Sequence, residues 1–206
     1  NFSMKLYVTP TSPYGRLAII AMHDKGLSER IKLVWTQTRQ LDDPLLSVNP
    51  SGRLPFLLLG DGTGMEDTDL IVDYFDALAP PRTYGIPNGE EHWPFRRFEA
   101  TARSLLDGGS VWAREIKRPS GEQSPGIIDH ERRRAIRLAG YFETVIGEGV
   151  FNGDLNKPQL LLYCALDLER RIPDFGWRAG CPNLLKWFER LGNLPVIRAS
   201  LPPGSA

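Results

Sequence analysis

"NPSGRLPFLLLGDGTGMEDTDLIVDYF", residues 49–75, reads as a loop, a strand, a tight turn and a helix in immediate succession. Asn-Pro and Ser-Gly mark a turn. Pro55 lacks an N–H and belongs at the start or edge of a strand. The Leu54–Pro55 step has two readings. It is either a plain beginning to the strand or a cis bond that turns the N–H and C=O of Leu54 outward. The apolar "LPFLLLG" (54–60) is closed by "GDGTG", a sequence suited to a hairpin. Asp67 or Thr68 is a natural helix N-cap. The spacing then predicts Leu70, Ile71, Tyr74 and Leu78 on one helical face. An acid and a hydroxyl at a helix start can also hold an ammonium and a carboxylate together.

Working outward, "MKLYVT" (4–9) is a strand ended by Pro10, and "IKLVWT" (31–36) alternates as a half-buried strand. Between them, Leu17, Ile20, Ala21 and Met22 keep helical spacing from Pro13 to a stop near Gly26. The order is β-α-β, a loop, then β-β-α, a small mixed sheet with helices against it. The Pro- and Gly-rich "APPRTYGIPNGEE" (79–91) reads as a linker. Beyond it strand signals vanish, and residues 93–118, 127–148, 157–171 and 183–192 read as helices. In the second of these, Ile128, Ala135, Leu138, Phe142 and Val145 form the apolar stripe. Glu131 to Arg134 is expected to be a solvated face. Asn156-x-x-Gln159 has the form of a capping box. The fold class expected is α/β plus all-α, with domains at 1–79 and 92–206 joined by 80–91.

Hydrophobic residues make up 41% of the 206 and charged residues 24%, a soluble globular mix. Lys+Arg and Asp+Glu stand at 25 each, which gives no reason to expect a nucleic-acid partner. No apolar run approaches the roughly 20 residues that span a bilayer, so no membrane association is expected. The two cysteines, Cys164 and Cys181, make no metal-like spacing and no disulfide framework. Cys164, in "LLLYCAL", is expected in a core. A reducing, cytoplasmic compartment is the expectation.

"TPTSPYGRLAII" (9–20) places Ser12 and Pro13 where the first helix begins. Ser at the N-cap and Pro at the first helical position are both favoured there. The same helix end carries unsatisfied N–H groups and about half a positive charge, which stabilises an anion. A thiolate is such an anion. The chain supplies only a hydroxyl, and His23, His92 and His130 form no recognisable Ser/His motif with it. A chemical role for Ser12 is therefore hydrogen-bond donation to a sulfur that a ligand brings.

Taken in order, these motifs resemble the cytosolic glutathione transferase superfamily. "SPYG" resembles its helix-start motif in the Ser-Pro variant, "NPSGRLP" its cis-proline segment, and "DTDLIVDYF" its acid-hydroxyl helix start. The likeness is nearest to short bacterial serine-type members, with "DFGWRAGCPNLLKWFERL" (174–191) typical of them. The resemblance implies a thioredoxin-like first domain, an all-helical second domain and a homodimer. Glutathione would be the co-substrate, activated as thiolate by Ser12 and added to a small hydrophobic electrophile in a pocket between the domains. Leu54 would pair its backbone with the cysteinyl part across cis-Pro55. Asp67 and Thr68 would hold the γ-glutamyl end. Arg53, and less directly Gln40, would meet the glycyl carboxylate, while Tyr14 and Trp112 would line the electrophile pocket. Trp112 has a second reading as helix-packing core. Gly15 and Ser12 stand where a glutaredoxin-like pair has cysteines, which argues against dithiol disulfide reduction. Tyr7 reads as sheet packing, and Gln159 replaces the family's usual capping Asp. The same scaffold also serves glutathione-dependent lyases, isomerases and dehalogenases, and non-catalytic binders of glutathione or hydrophobic ligands.

Overall fold

The computed structural model describes residues 3–37 and 42–205. They divide into two compact units, one comprising residues up to 85 with 195 onward, the other 86–194.

The first unit is built on a four-stranded sheet. β1 (Met4–Val8) is followed by α1 (Pro13–Asp24), β2 (Ile31–Trp35), β3 (Phe56–Leu58), β4 (Gly64–Glu66) and α2 (Thr68–Leu78). The strand order is β2-β1-β3-β4. β1 and β2 are parallel through a right-sized helical crossover, whereas β3 and β4 are antiparallel to their neighbours. This is the mixed sheet expected from the β-α-β and β-β-α pattern. Leu6, Val8, Leu57 and the α1 residues Ala18, Ile20 and Ala21 are fully buried and form its core. Tyr7 is half-buried opposite Val34 and Phe56, its ring 6.3 Å from that of Phe56, which fits sheet packing. The hairpin turn is closed by Asp61, which accepts the Thr63 amide at 2.8 Å. That amide and the Thr63 hydroxyl hold the Asp61 carboxyl below its ordinary range.

The α2 face differs from the one the spacing predicts. Ile71, Val72, Phe75 and Asp76 are buried, while Leu70 is 50% exposed. The cause is Lys25, at the end of α1. Its ammonium lies 2.6 Å from Asp76 and also donates to the Pro81 carbonyl and the Thr83 hydroxyl. A carboxylate with a partner of this kind can be buried, and that turns the inward stripe one position from the apolar reading. Asp76 further accepts the amides of Thr83 and Tyr84, and the Tyr84 hydroxyl donates to Asp24. The residues after the cis Pro80–Pro81 bond are thereby fastened to α1 and α2.

The second unit is helical: α3 (His92–Glu115), α4 (Pro125–Val145), α5 (Lys157–Leu166) and α6 (Pro182–Gly192). α5 is buried along its whole length. Phe98, Phe142, Phe151 and Trp187 meet edge-to-face at its centre. The Trp187 indole donates to the Phe151 carbonyl at 2.9 Å. Cys164 is in this core, as its apolar surroundings predict. Asn156 caps α5 by accepting the Gln159 amide at 3.0 Å, but the Gln159 side chain reaches the Val150 and Asp154 carbonyls instead of closing the box. The expected solvated face at 131–134 is corrected at its first residue. Glu131 is buried, its carboxylate held by Arg134 at 2.8 Å, where Gly108 of α3 leaves it room.

A short helix, α7 (Pro195–Ala199), returns to the first unit. Arg16 of α1 is buried there and donates from Nε to the Ser200 hydroxyl at 3.2 Å. His23 bonds the Ala199 backbone, and burial lowers its pKa.

Candidate functional site

The pairing register decides which residues of the first unit lie near one another. Val8 pairs with Trp35, Tyr7 with Phe56, and Phe56 with Glu66. The last residue of β1, the first of β3 and the last of β4 therefore share one edge of the sheet. Ser12 follows β1, Leu54 and Pro55 precede β3, and Asp67 and Thr68 follow β4. From the line of β1 to that of β4 is two inter-strand spacings, about 10 Å.

Each position is held by local chemistry. Ser12 is extended, with φ −79° and ψ 122°, and its hydroxyl accepts the Gly15 amide at 3.1 Å. Pro13 follows it at the first helical position, as expected of a cap. A hydroxyl has one proton to donate as well as lone pairs to accept with, so the cap leaves its O–H uncommitted by that bond. Gly15 is buried, and a Cβ there would stand 3.4 Å from both Val8 and Ser12 side chains. This brings the start of α1 close against the end of β1. Tyr14 is half-buried in the same first turn.

The Leu54–Pro55 bond is cis, the second of the two readings its sequence left open. The loop before it is fixed by Asn49, 1% exposed, whose amide donates to the Arg53 carbonyl at 2.8 Å. The Arg53 amide in turn donates to the Ser51 hydroxyl at 3.1 Å, and that hydroxyl also meets the Glu66 carboxylate. Arg53 itself is exposed. Asn49, Ser51 and Glu66 support the site without being legible as part of it. Their turn and strand-end residue types are common, and only the fold brings them together.

Asp67 has φ +77° and ψ 126°, the one non-glycine residue with positive φ among those described. A backbone in so sparsely populated a region persists only where its surroundings over-determine it, and such residues cluster at functional sites. Asp67 is exposed, and its carboxylate accepts the Asp69 amide at 2.8 Å. Thr68, beside it, is half-buried. The start of α2 thus offers a carboxylate, a hydroxyl and helix-end N–H groups together.

An open groove of about 480 Å³ also lies at this sheet edge, lined by residues that include Pro10, Trp35, Gln37 and Asp42. Gln40 lies outside the described residues. Trp112 is not on a surface open to a ligand. It is 1% exposed and packs edge-on to Phe175 at 5.8 Å, so its alternative reading as helix-packing core is the one the structure bears out. Among the described residues no group of three or more His, Cys, Asp or Glu is placed to hold a metal. No described helix is long and apolar enough to cross a membrane.

Residues 6–83 match the family "Glutathione S-transferase, N-terminal domain". Along its length the chain is 26% identical to the uncharacterized GST-like protein YibF of Escherichia coli K12, covering 97% of this chain and 99% of YibF. A glutathione transferase family member from Pseudomonas fluorescens Pf-5, solved with bound glutathione, superposes with a TM-score of 0.84. It is 26% identical, over 98% of this chain and all of that one. The chain has the glutathione transferase fold. A glutathione S-transferase from Methylobacillus flagellatus, also with glutathione bound, matches as well, with a TM-score of 0.84 at 25% identity over 97% of this chain and 100% of its own. Together these matches show the glutathione transferase fold along nearly the whole chain, with the family likeness confined to residues 6–83.

Proposed function

We propose that the chain is a glutathione transferase of the serine type. It binds glutathione along the sheet edge, stabilises its thiolate through Ser12, and adds the sulfur to a small hydrophobic electrophile. The observation that supports this reading is the register, in which the strand ends that Ser12, Leu54-Pro55 and Asp67-Thr68 adjoin lie along one edge, with β1 and β4 two inter-strand spacings, about 10 Å, apart. Three extended residues span about the same length, so a tripeptide can reach from the start of α1 to the start of α2. In this reading Asp67 takes the γ-glutamyl ammonium while Thr68 and the α2 amides take its carboxylate. The Leu54 backbone pairs with the cysteinyl residue, and the Arg53 guanidinium meets the glycyl carboxylate from its exposed position.

The thiol is then delivered to the positive end of α1. The Ser12 O–H donates to the sulfur, and deprotonation becomes favourable near neutral pH. Attack by the thiolate forms the C–S bond and expels the leaving group of the electrophile, or saturates an activated double bond with uptake of a proton. Two solved relatives of the same fold hold glutathione, which supports this choice of co-substrate.

Calorimetric titration with glutathione tests the placement. Asp67→Ala is expected to weaken binding by about tenfold or more, the loss of one charge-assisted contact. Affinity equal to that of the unaltered chain removes Asp67 from the site.

A further inference from the structure

The loop before β3 and the end of β4 are tied together by side chains to which the glutathione reading gives no part. The Gly52 amide donates to the Asn49 carbonyl at 3.0 Å and closes a turn over residues 49–52. Gly52 has φ +65°, the left-handed conformation that glycine adopts without penalty. Ser51 is thereby held at the head of the turn, where it is exposed. β4 runs against the start of the same loop, close enough that a Cβ on Gly64 would stand 3.0 Å from the Val48 carbonyl. Glu66, the last residue of β4, meets the Ser51 hydroxyl across this gap.

The proton count gives the contact a direction. Ser51 Oγ accepts the Arg53 amide at 3.1 Å. It also lies within reach of two acceptors, the Glu66 carboxylate and the Asn49 side-chain oxygen, the second at 3.1 Å. A hydroxyl has one proton to give, and an ionised acceptor makes the stronger bond. The proton therefore goes to Glu66. The result is a relay from the Arg53 N–H through Ser51 to the carboxylate, and bonds in such a chain polarise one another. The Arg53 carbonyl is held separately, by the amide of the buried Asn49 at 2.8 Å. Arg53 is thus gripped at both backbone groups, and the next residue is Leu54. At the other end of the relay, the residue after Glu66 is Asp67.

We propose that Ser51 and Glu66 are positioning residues that couple the two halves of the glutathione site. The carboxylate next to Asp67 fixes the turn that presents the Leu54 backbone, so the γ-glutamyl and cysteinyl segments are bound as one unit. This rests on the glutathione reading and adds to it how the two contacts depend on each other. A loop already held in its bound geometry loses less freedom on binding, so the latch serves affinity, not the chemical step at the sulfur. Both side chains are exposed, and an exposed contact of this kind adds little to global stability. Its effect is expected at the site.

The test is calorimetric titration of the full chain with glutathione, comparing the unaltered chain, Ser51→Ala, Glu66→Ala, the double variant and Ser51→Thr. Each single alanine variant should weaken binding about fivefold, the upper end for an exposed contact. The double variant should lose about the same fivefold, because both changes remove one shared contact. Ser51→Thr keeps the hydroxyl and should restore the affinity. In conjugation of chlorodinitrobenzene, KM for glutathione should rise by the same factor while kcat holds. Without any ligand, hydrogen exchange of the Arg53 amide should quicken in Glu66→Ala, although that carboxylate bonds the Ser51 hydroxyl and not the amide. Losses that multiply to about twenty-fivefold in the double variant, a loss in Glu66→Ala alone, or an unchanged Arg53 exchange rate would overturn the coupling. Failure of the unaltered chain to bind glutathione sinks the glutathione reading and this inference with it. Binding that is indifferent to Ser51 and Glu66 sinks this inference alone.

Discussion

Ser12 is asked to do two things at once, and replacement by two different residues separates them. Its hydroxyl caps α1 by accepting the Gly15 amide at 3.1 Å, a contact whose loss costs about 1 kcal/mol of stability. As a donor to a glutathione thiolate, the same hydroxyl contributes roughly 1.5–3 kcal/mol in favour of the charged form. That corresponds to about one to two pH units of thiol ionisation. An unperturbed thiol near pKa 8.5 is only a few per cent thiolate at pH 7, whereas one lowered by about two units is mostly ionised. Ser12→Ala should therefore lose both effects: about 1 kcal/mol in urea unfolding and about tenfold or more in conjugation rate near neutral pH. Ser12→Asp keeps an excellent cap but has no proton to give and sets a negative charge beside the sulfur. It should unfold like the unaltered chain and conjugate more slowly than Ser12→Ala. The direct assay is thiolate absorbance of bound glutathione against pH. If Ser12→Asp ionises the thiol at the same pH as the unaltered chain, the donor role is wrong, whatever Ser12 does for the helix.

Three further outcomes are expected from contacts in the first unit. Asp76→Asn keeps an acceptor for the Thr83 and Tyr84 amides but leaves the Lys25 ammonium, 5% exposed at the side chain, without its counter-charge. A lowered urea midpoint is expected, from a loss on the order of 3 kcal/mol, and an unchanged midpoint would mean that the Lys25–Asp76 pair contributes nothing net to stability. Burial and then the Asp24 carboxylate push the Tyr84 phenol far above its ordinary pKa. Above about pH 10 the unfolded chain gives up this proton and the folded one does not, so stability should fall with rising pH by about 1.4 kcal/mol per unit from this group. Tyr84→Phe should flatten that slope in alkaline unfolding curves without changing the number of phenols that ionise in the folded protein. Gly64→Ala places a Cβ 2.4 Å from the Phe56 ring and 3.0 Å from the Val48 carbonyl. Overpacking of this kind costs about 1–3 kcal/mol, and because β4 leads directly into Asp67, glutathione affinity should drop along with the melting temperature.

Which features were readable from sequence follows from how locally each is caused. The hairpin around "GDGTG", the Ser12 cap and the α5 cap at Asn156 depend on residues within a few positions of one another, and all three are found. The α2 face is different. Its inward stripe contains Asp76 because Lys25 reaches it from another helix, and no scan for apolar spacing registers a buried acid. Glu131 is inward for the same class of reason, since the space that admits it is the missing side chain of Gly108 on α3. The return of α7 to the first unit rests on Arg16 and Ser200, 184 positions apart. Trp112 illustrates the converse. An aromatic at helical spacing serves a core or a pocket equally well until its neighbours are known, and here the neighbour is Phe175.

The proposed donor role of Ser12 is compatible with its cap because a hydroxyl is both acceptor and donor. The cap uses a lone pair, which points at the Gly15 amide; the chemistry needs the proton, which the cap does not touch. The helix that requires a cap is also what makes the location positive, so the residue best suited to begin α1 is already next to the place where a thiolate is most stable. Asp67 follows the same logic at α2, where one carboxylate closes the helix end and faces outward in a conformation that L-residues seldom adopt. The expected glutathione site is thus assembled from helix starts and a loop, whose sequence signals are short-range and strong. A site for the electrophile carries no such signature. In the helical unit Phe98, Phe142, Phe151 and Trp187 serve the interior, while Trp93, Ile127 and Ile136 are exposed at separate positions along α3 and α4.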